Sequence, residues 1–180
     1  EAGEVTPKIC ERALLTGLVV VNMAYPPAPE PLARLSAGVR ALLRRCARPV
    51  LAVPGVVTPL TKVLLAYDGS PRAEEALFVA AYAAGEWHLP LTVLTVLEGG
   101  RATDETLERA RQYLEFHEIS AAFVRETGPA DEAILRIADE RQCDLIIMGG
   151  YGRAPMIEVV VGSAVDRVLR EARKPVLICR

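Results

Sequence analysis

"KVLLAYDGSPRAEEALFVAAYAAGEWHLPLTVLTVL", Lys62 to Leu97, holds two kinds of pattern in turn. "KVLLAY" (Lys62 to Tyr67) is a short apolar run, stopped by the turn cluster Asp68-Gly69-Ser70-Pro71. From Arg72 to His88 the spacing changes, and Ala76, Leu77, Ala80, Ala81 and Ala84 make one helical apolar face. Leu89-Pro90 ends that helix. "LTVLTVL" (Leu91 to Leu97) is β-branched and apolar, the composition of a buried strand.

The same alternation runs to the end of the chain. Gly99-Gly100 breaks it, and Thr103 to Glu118 reads as a charged amphipathic helix. Ile119 to Glu126 is a weaker strand, and Pro129 to Gln142 a helix with proline near its first turn. "DLIIMG" (Asp144 to Gly149) is a strand, Ser163 to Arg173 the last helix and "PVLIC" (Pro175 to Cys179) the last strand. Apolar strands separated by helices predict an α/β fold: a five-stranded parallel sheet with helices on both faces. Right-handed crossovers leave few arrangements of such a sheet. Its ligands bind beyond the carboxyl ends of the strands, where strand order reverses.

Residues ahead of Lys62 read as a partial copy of the same unit. "ALLRRCARPVLAVP" (Ala41 to Pro54) resembles "RVLREARKPVLICR" (Arg167 to Arg180), with Pro49 and Pro175 lying 126 positions apart. "LVVVN" (Leu18 to Asn22) resembles "LIIMG" (Leu145 to Gly149), and "EAG" (Glu1 to Gly3) resembles "ETG" (Glu126 to Gly128). The expected organisation is therefore a carboxyl-terminal half-unit over 1–54, a linker over 55–61 and a whole unit over 62–180. An orphan half-unit leaves a sheet edge open. The sequence is thus expected to be a piece of a longer tandem chain, or to lack residues that precede Glu1.

The composition excludes several function classes. The chain has 180 residues, 51% of them hydrophobic, and a net charge of −2. Lys8, Lys62 and Lys174 are its only lysines, and its arginines are scattered, so no basic footprint for nucleic acid is expected. No apolar run reaches the ~18 residues of a membrane span, and no signal-peptide pattern opens the sequence; a soluble cytoplasmic protein is expected. Cys10, Cys46, Cys143 and Cys179 form no C-x-x-C pair, and His88 and His117 are not near them in sequence. They read as buried small hydrophobes, with no metal site.

The chemistry-bearing stretch is "MGGYGRAPMIEVVVGSAVD", Met148 to Asp166. Glycines at a strand's carboxyl end let another group approach the backbone, whose N–H groups can then face an anion. Ser163 is a good N-cap, and Ser163-Ala164-Val165-Asp166 fits a capping box. A helix N-terminus carries free N–H groups and partial positive charge, which suit phosphate. Arg153 adds a cation. Either turn alone is ordinary; in order and at this spacing they are expected to clasp one phosphate chain from two directions.

The pattern G-x-x-G, nine residues, then G-S (Gly149, Gly152, Gly162, Ser163) resembles the nucleotide motif of the universal stress protein family. Residues 62–180 fit that family's five-stranded unit, an adenine-nucleotide alpha-hydrolase-like, Rossmann-like fold. "VLLAYDGSPRAEEAL", "LTVLTVLE" and "KPVLICR" resemble its first, second and last strands with their turns. The resemblance implies binding of ATP, ADP or AMP, with or without Mg2+. By position it places Ala66 and Asp68 near the adenosine, Val96 against the base, and Met148 and Gly149 along the ribose side. Gly152, Arg153, Gly162, Ser163 and Ala164 would surround the phosphates. Val96 fits plain core packing equally well, and Asp68 fits a turn residue bonding its own backbone. Tyr151 stands where the family often has histidine.

The equivalent segment of the half-unit, "VVVNMAYPPAPEPLARLSAGVRALL", has lost the glycines, and Ser36-Ala37 replaces Gly-Ser. Pro26, Pro27, Pro29 and Pro31 remove backbone donors there, so this half is expected to bind no nucleotide. In the family the last strands of two units pair across a dimer axis. Here Pro49–Val53 would pair with Pro175–Cys179 within one chain, or the chain would form a homodimer. No G-x-x-x-x-G-K-[ST] loop is present, and Glu158 is the only acidic candidate for a base near the phosphate segment. A nucleotide-binding regulator with no catalytic residue is the expectation. A slow ATP-hydrolysing enzyme and a ligand-free dimerisation scaffold are the alternatives.

Overall fold

The computed structural model describes residues 5–23, 38–55, 58–100, 102–151 and 163–180. Thirteen elements follow one another in the order α1 (Val5–Ala13), β1 (Val19–Asn22), α2 (Gly38–Arg45), β2 (Val50–Val53), β3 (Val63–Ala66), α3 (Pro71–Trp87), β4 (Leu91–Leu97), α4 (Asp104–Phe116), β5 (Ala121–Thr127), α5 (Ala130–Glu140), β6 (Leu145–Gly149), α6 (Ala164–Glu171) and β7 (Val176–Cys179). Ser70 caps α3 by accepting the Ala73 N–H at 3.3 Å, and Pro71 supplies the pre-set φ of its first turn. The helix stops at His88, which takes the left-handed conformation (φ 53°) just ahead of Pro90.

Among the described residues the strands form one seven-stranded sheet in the order β1-β2-β7-β6-β3-β4-β5. All neighbours are parallel except β2 and β7, which run antiparallel. The five strands read from residues 62–180 therefore sit together, with β1 and β2 added beyond β7. Val50 pairs with Ile178, Leu51 with Leu177 and Ala52 with Val176. Each half of the sheet around that seam has a parallel neighbour on its outer side: β1 beside β2, and β6 beside β7.

The alternation of side chains sends the strands into two cores. On one face Val63, Leu65, Val93 and Ile147 pack with the alanine and leucine stripe of α3 and with Ala110 and Leu114 of α4. On the other, Leu64, Leu94, Ile146, Met148 and Ile178 pack with Ile134 and Ile137 of α5 and Val168 and Leu169 of α6. Leu42 and Leu43 of α2, with Val50 and Ala52 of β2, belong to this second core. Ala13, α2 and β2 thus share a core with the later elements.

Three of the four cysteines are buried, Cys10 is partly exposed, and all are free thiols. Burial, and the Glu75 charge after it, push the Cys179 thiol up to about 12, so it remains a protonated core group. No described helix is long and apolar enough to cross a membrane.

Candidate nucleotide site at the carboxyl edge of the sheet

From β3 the chain moves outward through β4 to β5, then crosses back to β6 on the other side of β3. The β3–β6 boundary is therefore the switch point, where successive connections leave on opposite sides and open a crevice. Ala66 ends β3 and pairs with Met148 of β6, and Gly149 is the next residue. On the opposite side Ala66 pairs with Leu94, and Val96 lies two residues farther along β4. Ala66, Val96, Met148 and Gly149 thus occupy three adjacent strand ends, and Asp68 follows β3 in the turn.

That turn is held from several directions. The Asp68 carboxylate accepts the Ser70 N–H at 3.0 Å, so Asp68 does serve its own turn. Gly69 takes a positive φ of 73°, with the Arg109 guanidinium lying across it and donating to its carbonyl at 3.3 Å. Tyr67 is buried, its hydroxyl donating to Glu74 Oε1 at 2.6 Å and accepting from Arg109 Nε at 3.2 Å. Burial, reinforced by the Glu74 carboxylate, pushes this phenol up to about 12. Thr95 Oγ1 ties the Tyr67 carbonyl to β4 at 2.9 Å. The Tyr67–Glu74–Arg109 network escaped the sequence reading because its members lie on three separate elements.

Gly149 and Gly150 admit close neighbours, but those neighbours belong to the chain itself. A Cβ on Gly149 would stand 2.9 Å from the Ala73 nitrogen and 2.9 Å from the Arg72 carbonyl carbon. The first turn of α3 therefore packs directly on the end of β6. A Cβ on Gly150 would meet the Cys179 carbonyl oxygen at 3.0 Å, and the Gly150 N–H donates to that oxygen at 2.6 Å. Arg72 Nη1 lies 3.5 Å from the same Cβ position. Arg72 is a cation at the glycine segment that helical periodicity alone does not single out.

Ser163 is buried and caps α6, its Oγ accepting the Asp166 N–H at 3.1 Å. Ala164 is the first residue of that helix. The reciprocal half of the expected capping box is not made. Asp166 Oδ1 instead accepts the hydroxyl of Tyr151, which is turned inward and 1% exposed. Burial first, and the Asp166 charge next, hold the Tyr151 phenol far above its ordinary range. The guanidinium groups of Arg40 and Arg44, both on α2, lie 5.0 Å and 5.1 Å from the Tyr151 ring centre. Gly152, Arg153 and Gly162 lie outside the described residues. Among the described residues no group of His, Cys, Asp and Glu is placed to hold a metal ion.

A family model described as "Universal stress protein family" matches residues 59–180. The chain belongs to the universal stress protein family. Universal stress protein Slr1230 of Synechocystis sp. is 32% identical over 151 residues, covering 81% of this chain and 52% of that protein. The chain thus spans about half the length of this curated relative. A universal stress protein from Archaeoglobus fulgidus superposes with a TM-score of 0.82 at 24% identity, over 99% of this chain and 66% of that one. This likeness shows the same fold along nearly the whole chain. A second Archaeoglobus fulgidus universal stress protein, solved in complex with dAMP, is 26% identical. It superposes with a TM-score of 0.52, covering 67% of this chain and 98% of its own.

Proposed function

We propose that residues 62–180 hold one adenine nucleotide (ATP, ADP or AMP, with or without Mg2+) at the carboxyl edges of β3, β4 and β6. The bound state would serve a regulatory or stress-response role through a partner. Universal stress proteins are generally regarded as non-enzymatic regulators, and this chain is read in the same way. Ala66 and Asp68 would flank the adenosine, Val96 the base, and Met148 and Gly149 the ribose side. Gly152, Arg153, Gly162, Ser163 and Ala164 would take the phosphates.

The observation that carries the reading is a coincidence of topology and chemistry. The sheet's switch point falls at Ala66 and Met148, where the glycine segment begins. The Ser163-capped helix α6 is tied to the segment through Tyr151 and Asp166. The dAMP complex of a 26% identical relative is in keeping with it.

Residues 1–54 are proposed to be a degenerate copy of the carboxyl-terminal half of the unit, joined by a linker over 55–61. Element spacing supports this. α2 and α6 start and end 126 positions apart, as do β2 and β7. In the antiparallel pair, Leu51 stands opposite Leu177, again 126 positions on, so the seam is centred on equivalent residues. The copy would cover β7 as a second unit does across a dimer axis.

The test is mass spectrometry of small molecules released from the purified protein, with thermal shift on adding ATP. An adenine nucleotide and a raised melting temperature are expected. Gly162→Val should remove both while leaving a cooperative melt. Nucleotide retained by a folded Gly162→Val chain contradicts the site. Neither nucleotide nor shift in the parent chain contradicts the function.

A further inference from the structure

The chain is poor in aromatic residues, with one Trp, five Tyr and three Phe. Five of these nine, Phe78, Tyr82, Trp87, Tyr113 and Phe116, gather on the outer face of α3 and α4. Phe78 is 48% exposed, Tyr82 64%, Trp87 65% and Phe116 84%. The rings form two linked runs. Phe78 meets Tyr113 at a tilt at 5.1 Å, Tyr113 likewise meets His117 at 4.5 Å, and His117 meets Phe116 edge-on at 5.3 Å. Tyr82, one helical turn from Phe78, meets Trp87 edge-on at 6.3 Å. Scattered single apolar residues are normal on a surface, but a contiguous aromatic one marks a contact.

The rim of this face is acidic. Glu75 lies one turn before Phe78, Glu86 one turn after Tyr82, and Glu115 and Glu118 flank Phe116 and His117; all four are exposed. None of the four makes an ion pair among the described residues. Two neighbouring arginines already have partners: Arg109 reaches Tyr67 and Glu74, and Arg111 stacks 4.0 Å over the Phe123 ring and pairs with Glu108 at 3.3 Å. Glu115 and Glu118 also border an open recess of about 380 Å³ with Arg111, Ile119 and Phe123.

We infer that the α3–α4 face docks a second protein through a basic amphipathic helix, whose apolar side meets the rings and whose Lys or Arg side chains meet the carboxylates. Exposed ring faces and carboxylates both attract cations, so the two features select the same partner chemistry. A second copy of this chain fits poorly, because a two-fold contact through this face would bring like carboxylates together. The inference rests on the rings and carboxylates of α3 and α4 and does not use the nucleotide reading.

Trp87 is the only tryptophan, so the full chain carries its own reporter on this face. The probe is a synthetic helical peptide with a leucine face and a lysine–arginine face; its counterpart has glutamate at every basic position. The basic peptide should shift Trp87 emission to the blue saturably, and the acidic peptide should not. Phe78→Ala with Phe116→Ser should weaken binding about tenfold or more at unchanged melting temperature. If that pair unfolds the chain, Glu75→Lys with Glu86→Lys, both at exposed positions, should weaken it similarly. An unmoved emission spectrum, equal response to both peptides, or affinity indifferent to these substitutions overturns the inference. So does sedimentation showing that the face is filled by a second copy.

Discussion

At Gly149 the absence of a side chain has a definite structural use: the backbone of Arg72 and Ala73 occupies the space a methyl group would need. Gly149→Ala forces α3 off β6, and should lower stability by about 1–3 kcal/mol in a urea melt. The glycine itself was legible in the sequence. The group that approaches it was not, because the first turn of α3 is more than seventy residues away along the chain. Asp144 is a second site of long-range tethering. Its carboxylate accepts the Thr61 N–H at 2.9 Å, the Thr61 hydroxyl at 2.9 Å and the Lys62 N–H at 2.7 Å. Burial raises its pKa, but these hydrogen bonds outweigh burial and hold it below the ordinary 3.8. A depressed carboxylate stabilises fully above its unfolded value and loses that contribution as pH falls through its lower folded value. Asp144→Asn should therefore flatten the stability–pH curve below about pH 4, measured by denaturant melts across the acid range.

Among the elements, α2 and α6 meet around one tyrosine. Arg40 and Asp166 stand 126 positions apart, at equivalent places on the two helices, and each is 1% exposed. The sequence reading gave the two helices the same origin, and the matching bounds are consistent with it. It could not show that the charges at these positions are buried, since "VRALLRR" alone looks like a solvated basic helix. Arg40 has three guanidinium nitrogens without a hydrogen-bond partner among the described residues and rests on the Tyr151 ring. Asp166 has one oxygen on Tyr151 and one without a partner among the described residues. Tyr151→Phe leaves the carboxylate buried with neither oxygen bonded, and should cost about 1–3 kcal/mol. Arg40→Met removes three unsatisfied donors while keeping the packing volume, so its melting temperature should be unchanged or higher. A loss as large as that of Tyr151→Phe would contradict this account of Arg40. The helix and strand limits over 62–180 were readable to within two residues or so, because alternating apolar runs and Gly-Pro punctuation act locally. Hydrogen bonds such as Tyr151–Asp166 depend on how elements dock, and periodicity does not report that.

For the molecule as a whole, the seam between β2 and β7 is the defining feature. The proposed repeat was read from Pro49 and Pro175, and the register across the seam has the same spacing at Leu51 and Leu177. Residues 59–180 alone would expose the β7 edge that β2 covers. Such a fragment should pair through β7 with a second fragment, doubling its mass by sedimentation, and a proline at Ile178, whose N–H faces the β2 side, should abolish that pairing. The two-unit reading also assigns different duties to its parts: residues 62–180 keep the glycine pattern, while the earlier segment has prolines in its place. The most direct measurement is the stoichiometry of adenine-nucleotide binding to the whole chain by isothermal titration calorimetry. One nucleotide per chain is expected, and none for the Gly162→Val chain. No saturable heat with ATP, ADP or AMP, or two sites per chain, would contradict the account.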